Sequence, residues 1–360
     1  MRLLLSGVLL GLAAAACGSH DGAAGHGGAS TGPPGSTPIA AVTEDAVYVV
    51  NGEDSSITVL DLAGTTLGTI GLKNVSFPHH VYLSPDRARL AVAVPGHDLS
   101  AGHSAAGKAA GGGHGGATGA VLLLDATTGT TLKARRLDAA NHNAIFSPNG
   151  TEVWTTQLLD AGTVLVLDAT TLETRQTIRV GRVPAEVTFT PDGKYAFVAN
   201  GTSNDVTVID AASKAVVKTI AVDREPVGAW PGADGMMYVD CEVGRTVRAI
   251  DPKTLEVVRT YNLGFTPGYA AVPPTRTDEL WLTDTDAGKI VFNRTTADSR
   301  AGDVFTGAGA HALAFTPDGK TAFVTNQLAG SVSLVDAATR TVKVTVPVGK
   351  KPNGIALRTK

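Results

Sequence analysis

Cysteine is scarce in these 360 residues: there are two, Cys17 and Cys241. Aromatic residues are also few, at 5%, and neither charge sign dominates, the formal balance being −3. A chain this close to neutral lacks the field of an electrostatic nucleic-acid binder. Beyond the N-terminal stretch no apolar run is long enough to cross a bilayer as a helix. No nucleophile elbow, P-loop, HExxH helix or CxxCH haem-attachment motif occurs. Any site must therefore be assembled from residues far apart in the chain.

What is present starts with Met1-Arg2, the apolar run "LLLSGVLLGLAAAA" and then Cys17. This start resembles a bacterial lipoprotein signal, with Ala15 and Ala16 directly before the cysteine and Ala14 where that pattern favours leucine. The resemblance implies that residues 1–16 are a removed signal peptide and that Cys17 is acylated. The protein would then be exported and membrane-anchored, in the periplasm or at the cell surface. Several acyl chains on one residue make a stable anchor, where a single chain is marginal. Cys241 would be the remaining thiol, with no partner for an intrachain disulfide. Residues 17–37, rich in Gly, Ser and Pro, have nothing to bury and are expected to form a flexible tether.

From Thr43 onward the chain repeats itself, as in "TPDGKYAFVANGTSNDVTVIDAASKAVVKTIAV" and "TPDGKTAFVTNQLAGSVSLVDAATRTVKVTVPV". Each unit has a Pro-Asp/Asn-Gly turn, a β-branched run, a polar loop, a second run ending in Asp, and a third strand. That closing position is Asp61, Asp125, Asp168, Asp210, Asp251, Asn293 and Asp336, spaced 64, 43, 42, 41, 42 and 43 residues apart. Seven such units predict an all-β fold, a seven-bladed β-propeller of four-stranded antiparallel blades spanning 38–360. The recurring Asp is expected to secure a turn in each blade. The units resemble the YVTN-type β-propeller repeat, carried by "YVVN" (48–51), "FVAN" (197–200) and "FVTN" (323–326). That resemblance implies fold and leaves function open. The C-terminal "KPNGIAL" reads as an innermost strand that joins the first blade and closes the ring, with "IAAV" (39–42) as the competing candidate.

One slot follows the crossing from each blade to the next, at the channel mouth. It holds His79, His142, Ala185, Val227, Gly268, His311 and Asn353. The polar members form one contiguous arc. The spacing of 64 marks an insertion at 95–119, carrying His97, His103 and His114, between the second and third strands of the unit that supplies His79. Imidazoles converging on one point are ligands for a transition metal, here copper or zinc. His79, His142 and His311 are the expected rigid ligands, and His97, His103 and His114 the mobile ones. His80 is set below His79, although Glu186 and Tyr269 keep that second ring of positions polar.

Arg182, Arg224, Lys350 and Lys351 also flank the crossings, and could draw an anionic ligand. Only Tyr269 is placed to stack on bases, which disfavours a single-stranded nucleic-acid binder. Cys241 reads as a buried thiol, Trp154 and Trp281 as packing between blades, and Trp230 as the mark of a distorted strand. The sequence thus favours a monomeric, non-enzymatic module binding a small ligand or an envelope protein. An enzyme at the same mouth, a lyase, lactonase or metal-dependent oxidoreductase, is the alternative.

Overall fold

The computed structural model describes residues 32–100 and 118–360. Seven antiparallel sheets follow one another along the chain, with no helix among the described residues. This is the expected seven-bladed propeller. Within each blade the second and third strands are almost wholly buried, as in Tyr195–Asn200 and Asp205–Asp210, while outermost strands such as Thr174–Arg179 expose Thr, Arg and Gln. Val, Ile and Phe suit pleated surfaces covered on both faces, and charged outer edges discourage pairing with other chains.

The core is a ring of wedges between blades. Trp154, Val164 and Val166 of the third blade pack with Val187, Phe189 and Val198 of the fourth. Trp281 and Phe292 of the sixth pack with Leu313 and Val324 of the seventh. Both tryptophans thus fill the gaps between blades. The repeated aspartates act in turns: Asp168 Oδ1 accepts from the amides of Thr170 and Thr171 at 2.7 and 2.8 Å, and Asp336 from those of Ala338 and Thr339 at 3.0 and 2.9 Å. The asparagine of the repeat is structural as well. Asn51, Asn200 and Asn326 each donate to hydroxyls on the neighbouring strand, for example Asn326 to Ser333 at 3.0 Å.

Closure goes to the C-terminus. Pro352–Arg358 pairs with Ala46–Asn51 from Ala46↔Arg358 to Asn51↔Pro352, so it is the innermost strand of the first blade. Residues 39–42 instead run along the second blade, where the Ile39 and Val42 amides each donate 2.9 Å bonds to Thr128 and Thr127. One boundary differs from expectation. Gly35–Thr37, read from composition as tether, pairs with Thr66–Lys73 as a fifth strand on the first blade. Ladder bonds along an open sheet edge need no apolar side chain, so composition gave no sign of it. The expected signal peptide, Cys17 and the tether as far as residue 31 lie outside the described residues.

Candidate metal centre

The chain reaches four of the seven innermost strands through a strained crossing. Phe77, Val183, Glu225 and Lys351 directly precede Pro78, Pro184, Pro226 and Pro352, and have φ of 54°, 48°, 60° and 51°. Non-glycine residues seldom adopt this left-handed region, and four repetitions make it a device of the fold. Pairing with the next strand then slips in register, between Pro184 and Val187, Pro226 and Ala229, and Ala310 and Leu313. In the second blade His79 and His80 together face the single residue Ala93, through bonds of 2.9 and 3.0 Å. Such bulges redirect side chains beside functional sites. Here the bulge releases two consecutive residues from strict alternation, and both imidazoles turn toward the axis.

The result is a packed group of rings. His79, His80 and His142 are all buried, and their ligand atoms lie within 4.8 Å of one another. Ring centroids are 4.6 Å apart for His79 with His80, 4.6 Å for His79 with His142 and 4.9 Å for His80 with His142. His80, from the second blade, also comes within 6.3 Å of Trp230 of the fifth, so the group sits on the propeller axis. The closing strand holds its position: the Gly354 amide donates to the His79 carbonyl at 2.8 Å. A Cβ at Gly354 would stand 2.7 Å from His80 Cα, so only glycine permits this approach.

Glu186 of the fourth blade completes the centre. It is fully buried, with Oε2 2.6 Å from His142 Nδ1 and 3.7 Å from His80 Nε2. Its other oxygen accepts from the Tyr82 hydroxyl. Burial pushes this carboxyl up to about 8; the donor Tyr82 pulls the other way, and the charge of Asp240 adds to the rise. Asn143 is fixed by two bonds to Val187, 2.7 Å to its carbonyl and 3.2 Å from its amide, which tie the third blade to the strand bearing Glu186.

His311 belongs to a different layer. Its ring is 6.1 Å from that of His79, and it falls outside the three-histidine group; it lines a cavity of about 740 Å³ on the insertion side. Leu99 and Ser100 close this cavity from the second blade, facing Arg224, Thr285, Gln327 and Leu328 of the fifth to seventh. The described start of the insertion is fastened there. Asp98 pairs with Lys351, and Leu99 packs with Ala140 and Leu158. His97 is half-buried on this segment, while His103 and His114 lie outside the described residues.

Sequence reasoning therefore expected His79 and His142 at this place, ranked His80 below His79, and counted Glu186 only as a polar neighbour. The signal it could have used is the polar residue directly after the slot in three successive blades, His80, Asn143 and Glu186. Cys241 is buried among Val206, Ile220 and Val239, and burial raises its thiol to about 12, so it offers no thiolate. Arg182 and Lys350 pair with Asp160 and Glu53 at 3.5 and 3.7 Å, and neutralise part of the rim. Trp230 lies in the strand Pro226–Pro231, directly after its register slip, and is stacked on Tyr269 at 3.9 Å. Its Nε1 donates to buried Asp240 at 2.6 Å.

No family model matches the chain. No curated protein matches it either. Solved structures share its fold. The periplasmic gluconolactonase PpgL of Pseudomonas aeruginosa gives a TM-score of 0.69 over 87% of this chain and 98% of its own, at 17% identity. Hydrazine synthase of Kuenenia stuttgartiensis gives 0.63 over 79% and 90%, at 18% identity. The dihydro-heme d1 dehydrogenase NirN, in complex with DHE, gives 0.61 over 88% and 76%, at 16% identity. Likeness at these identities establishes the propeller alone.

Proposed function

We propose that the chain is an exported propeller, anchored through Cys17, that holds one copper or zinc ion at His79, His80 and His142 and presents it to a small ligand. The observation that carries this reading is the convergence of three buried imidazoles within 4.8 Å of one another. Imidazole nitrogens bound at about 2.0–2.1 Å around a tetrahedral ion stand roughly 3.4 Å apart. The group therefore contracts by at most about 1.4 Å on loading, within reach of side-chain rotation. Glu186 meets the usual requirement that a ligating histidine have its second nitrogen held by a carboxylate. With Nδ1–H of His142 donated to Glu186, Nε2 is the atom left to ligate.

The cavity lined by His311, whose ring is 6.1 Å from that of His79, would give the ion the open side that separates a site for ligand exchange from a closed structural one. The insertion's His97, His103 and His114 are further candidate donors on that face. Export is in keeping with the periplasmic setting that PpgL's name records for that protein.

The test is metal analysis of protein purified without a histidine tag and loaded with copper or zinc. One equivalent is expected, lost in the His79→Ala/His142→Ala variant while the β-sheet spectrum is kept. Failure to retain any metal after loading would end the reading.

A hydrolase at the same place is the second reading, favoured by a buried carboxyl of raised pKa beside imidazoles. It requires turnover of a lactone or ester that Glu186→Gln abolishes in protein still carrying its metal. A metal-loaded protein inert toward such substrates leaves the binding role standing alone.

A further inference from the structure

A second cavity of about 280 Å³ lies at the other end of the axis, and neither the metal centre nor the insertion uses it. Its walls come from the far ends of the innermost strands of five successive blades. Phe146 and Phe189 stand on one side and the stacked Trp230–Tyr269 pair on the other, with the rims of Pro148 and Pro231 exposed to solvent. Tyr82 separates it from the histidine group by donating to Glu186. Tyr269 is the polar feature. Its ring is half-buried and stacked on Trp230. A phenolic hydroxyl both donates and accepts, so at the edge of this cavity it can meet either kind of polar group on a ligand.

We infer that this second mouth binds a small planar aromatic molecule bearing a group that hydrogen-bonds to Tyr269. Size supports a one- or two-ring compound, since a dry apolar cavity of about 150 Å³ already accepts benzene. Composition supports a flat ring over a branched aliphatic, because aromatic walls reward offset stacking and edge contacts. Pro148 and Pro231 lend rigid edges without side-chain entropy to lose.

The experiment uses the full chain with its metal site intact, titrated by calorimetry with phenol, indole and cyclohexanol. Phenol and indole should bind saturably, and cyclohexanol, of phenol's size but not planar, about tenfold more weakly, the difference that one good aromatic contact confers. Tyr269→Leu should weaken both aromatics by about tenfold, while Leu328→Ala at the opposite mouth changes neither. Tyr269→Phe keeps the stack and removes only the hydroxyl; it should weaken phenol several-fold, and it serves if Tyr269→Leu does not fold. Equal affinity for phenol and cyclohexanol, or no binding of either aromatic, would overturn the inference. Because the ligands are metal-free, the result is independent of whether the histidines hold an ion.

Discussion

Glu186 Oε2 stands 2.6 Å from His142 Nδ1, a buried carboxyl and a buried imidazole joined across neighbouring blades 44 residues apart. One proton occupies that contact, and when His142 ligates through Nε2 it must reside on Nδ1. The carboxylate then accepts from a neutral imidazole, which fixes the ring in the ligating tautomer.

Replacing that carboxyl should cost affinity without costing the fold. Glu186→Gln keeps the volume and an acceptor but loses the charge, and metal affinity is expected to fall by about 10- to 100-fold. The melting temperature of the metal-free protein should stay level near neutral pH, because burial already keeps this carboxyl largely neutral there. Competition with a chromophoric chelator measures the first quantity and calorimetry the second.

Gly354→Ala links ring closure to the site. The added Cβ would lie 2.7 Å from His80 Cα and 2.8 Å from the His79 carbonyl, both backbone atoms that cannot rotate away. Loss of about 1–3 kcal/mol is expected from overpacking, with weaker metal retention as the His79-His80 segment shifts. Urea unfolding and metal analysis on the same preparation test both.

Much of this was readable in advance, and the reason lies in periodicity. The recurring Asp counted seven blades because each unit needs the same turn, and "KPNGIAL" closed the ring because it matched an innermost strand with no outer strands behind it. His79 and His142 were found because equivalent slots face one axis. His80 and Glu186 were ranked lower, because alternation assigns one inward residue per crossing, and the polar residue after the slot gains meaning only once the bulge is seen to admit two. His311 fills the same slot as His79, yet its ring stands 6.1 Å away, in the layer that lines the cavity.

Acid should unfold the protein partly through its turns. Asp168, Asp318 and Asp336 are held down to about 2, Asp168 and Asp336 chiefly by amide donors and Asp318 chiefly by the Thr316 hydroxyl. A depressed folded value contributes stability that is complete above the ordinary carboxylate range and is lost as pH falls toward 2. The urea midpoint should therefore decline steadily from about pH 4 to pH 2. The Asp168→Asn/Asp318→Asn/Asp336→Asn variant should show a flatter decline over that window.

Cys241 should be chemically silent in the folded state. Burial raises its thiol to about 12, leaving almost no thiolate near neutral pH. In a Cys17→Ser protein, a thiol-specific reagent should report close to zero groups natively and one after denaturation. Rapid native labelling would contradict the buried position.

The most direct measurement is anomalous diffraction at the metal edge from crystals of the copper- or zinc-loaded protein. The account predicts one strong peak on the propeller axis, within bonding distance of His79, His80 and His142, with Glu186 still on His142. A peak elsewhere, or none in crystals whose solution stock was loaded, would contradict it.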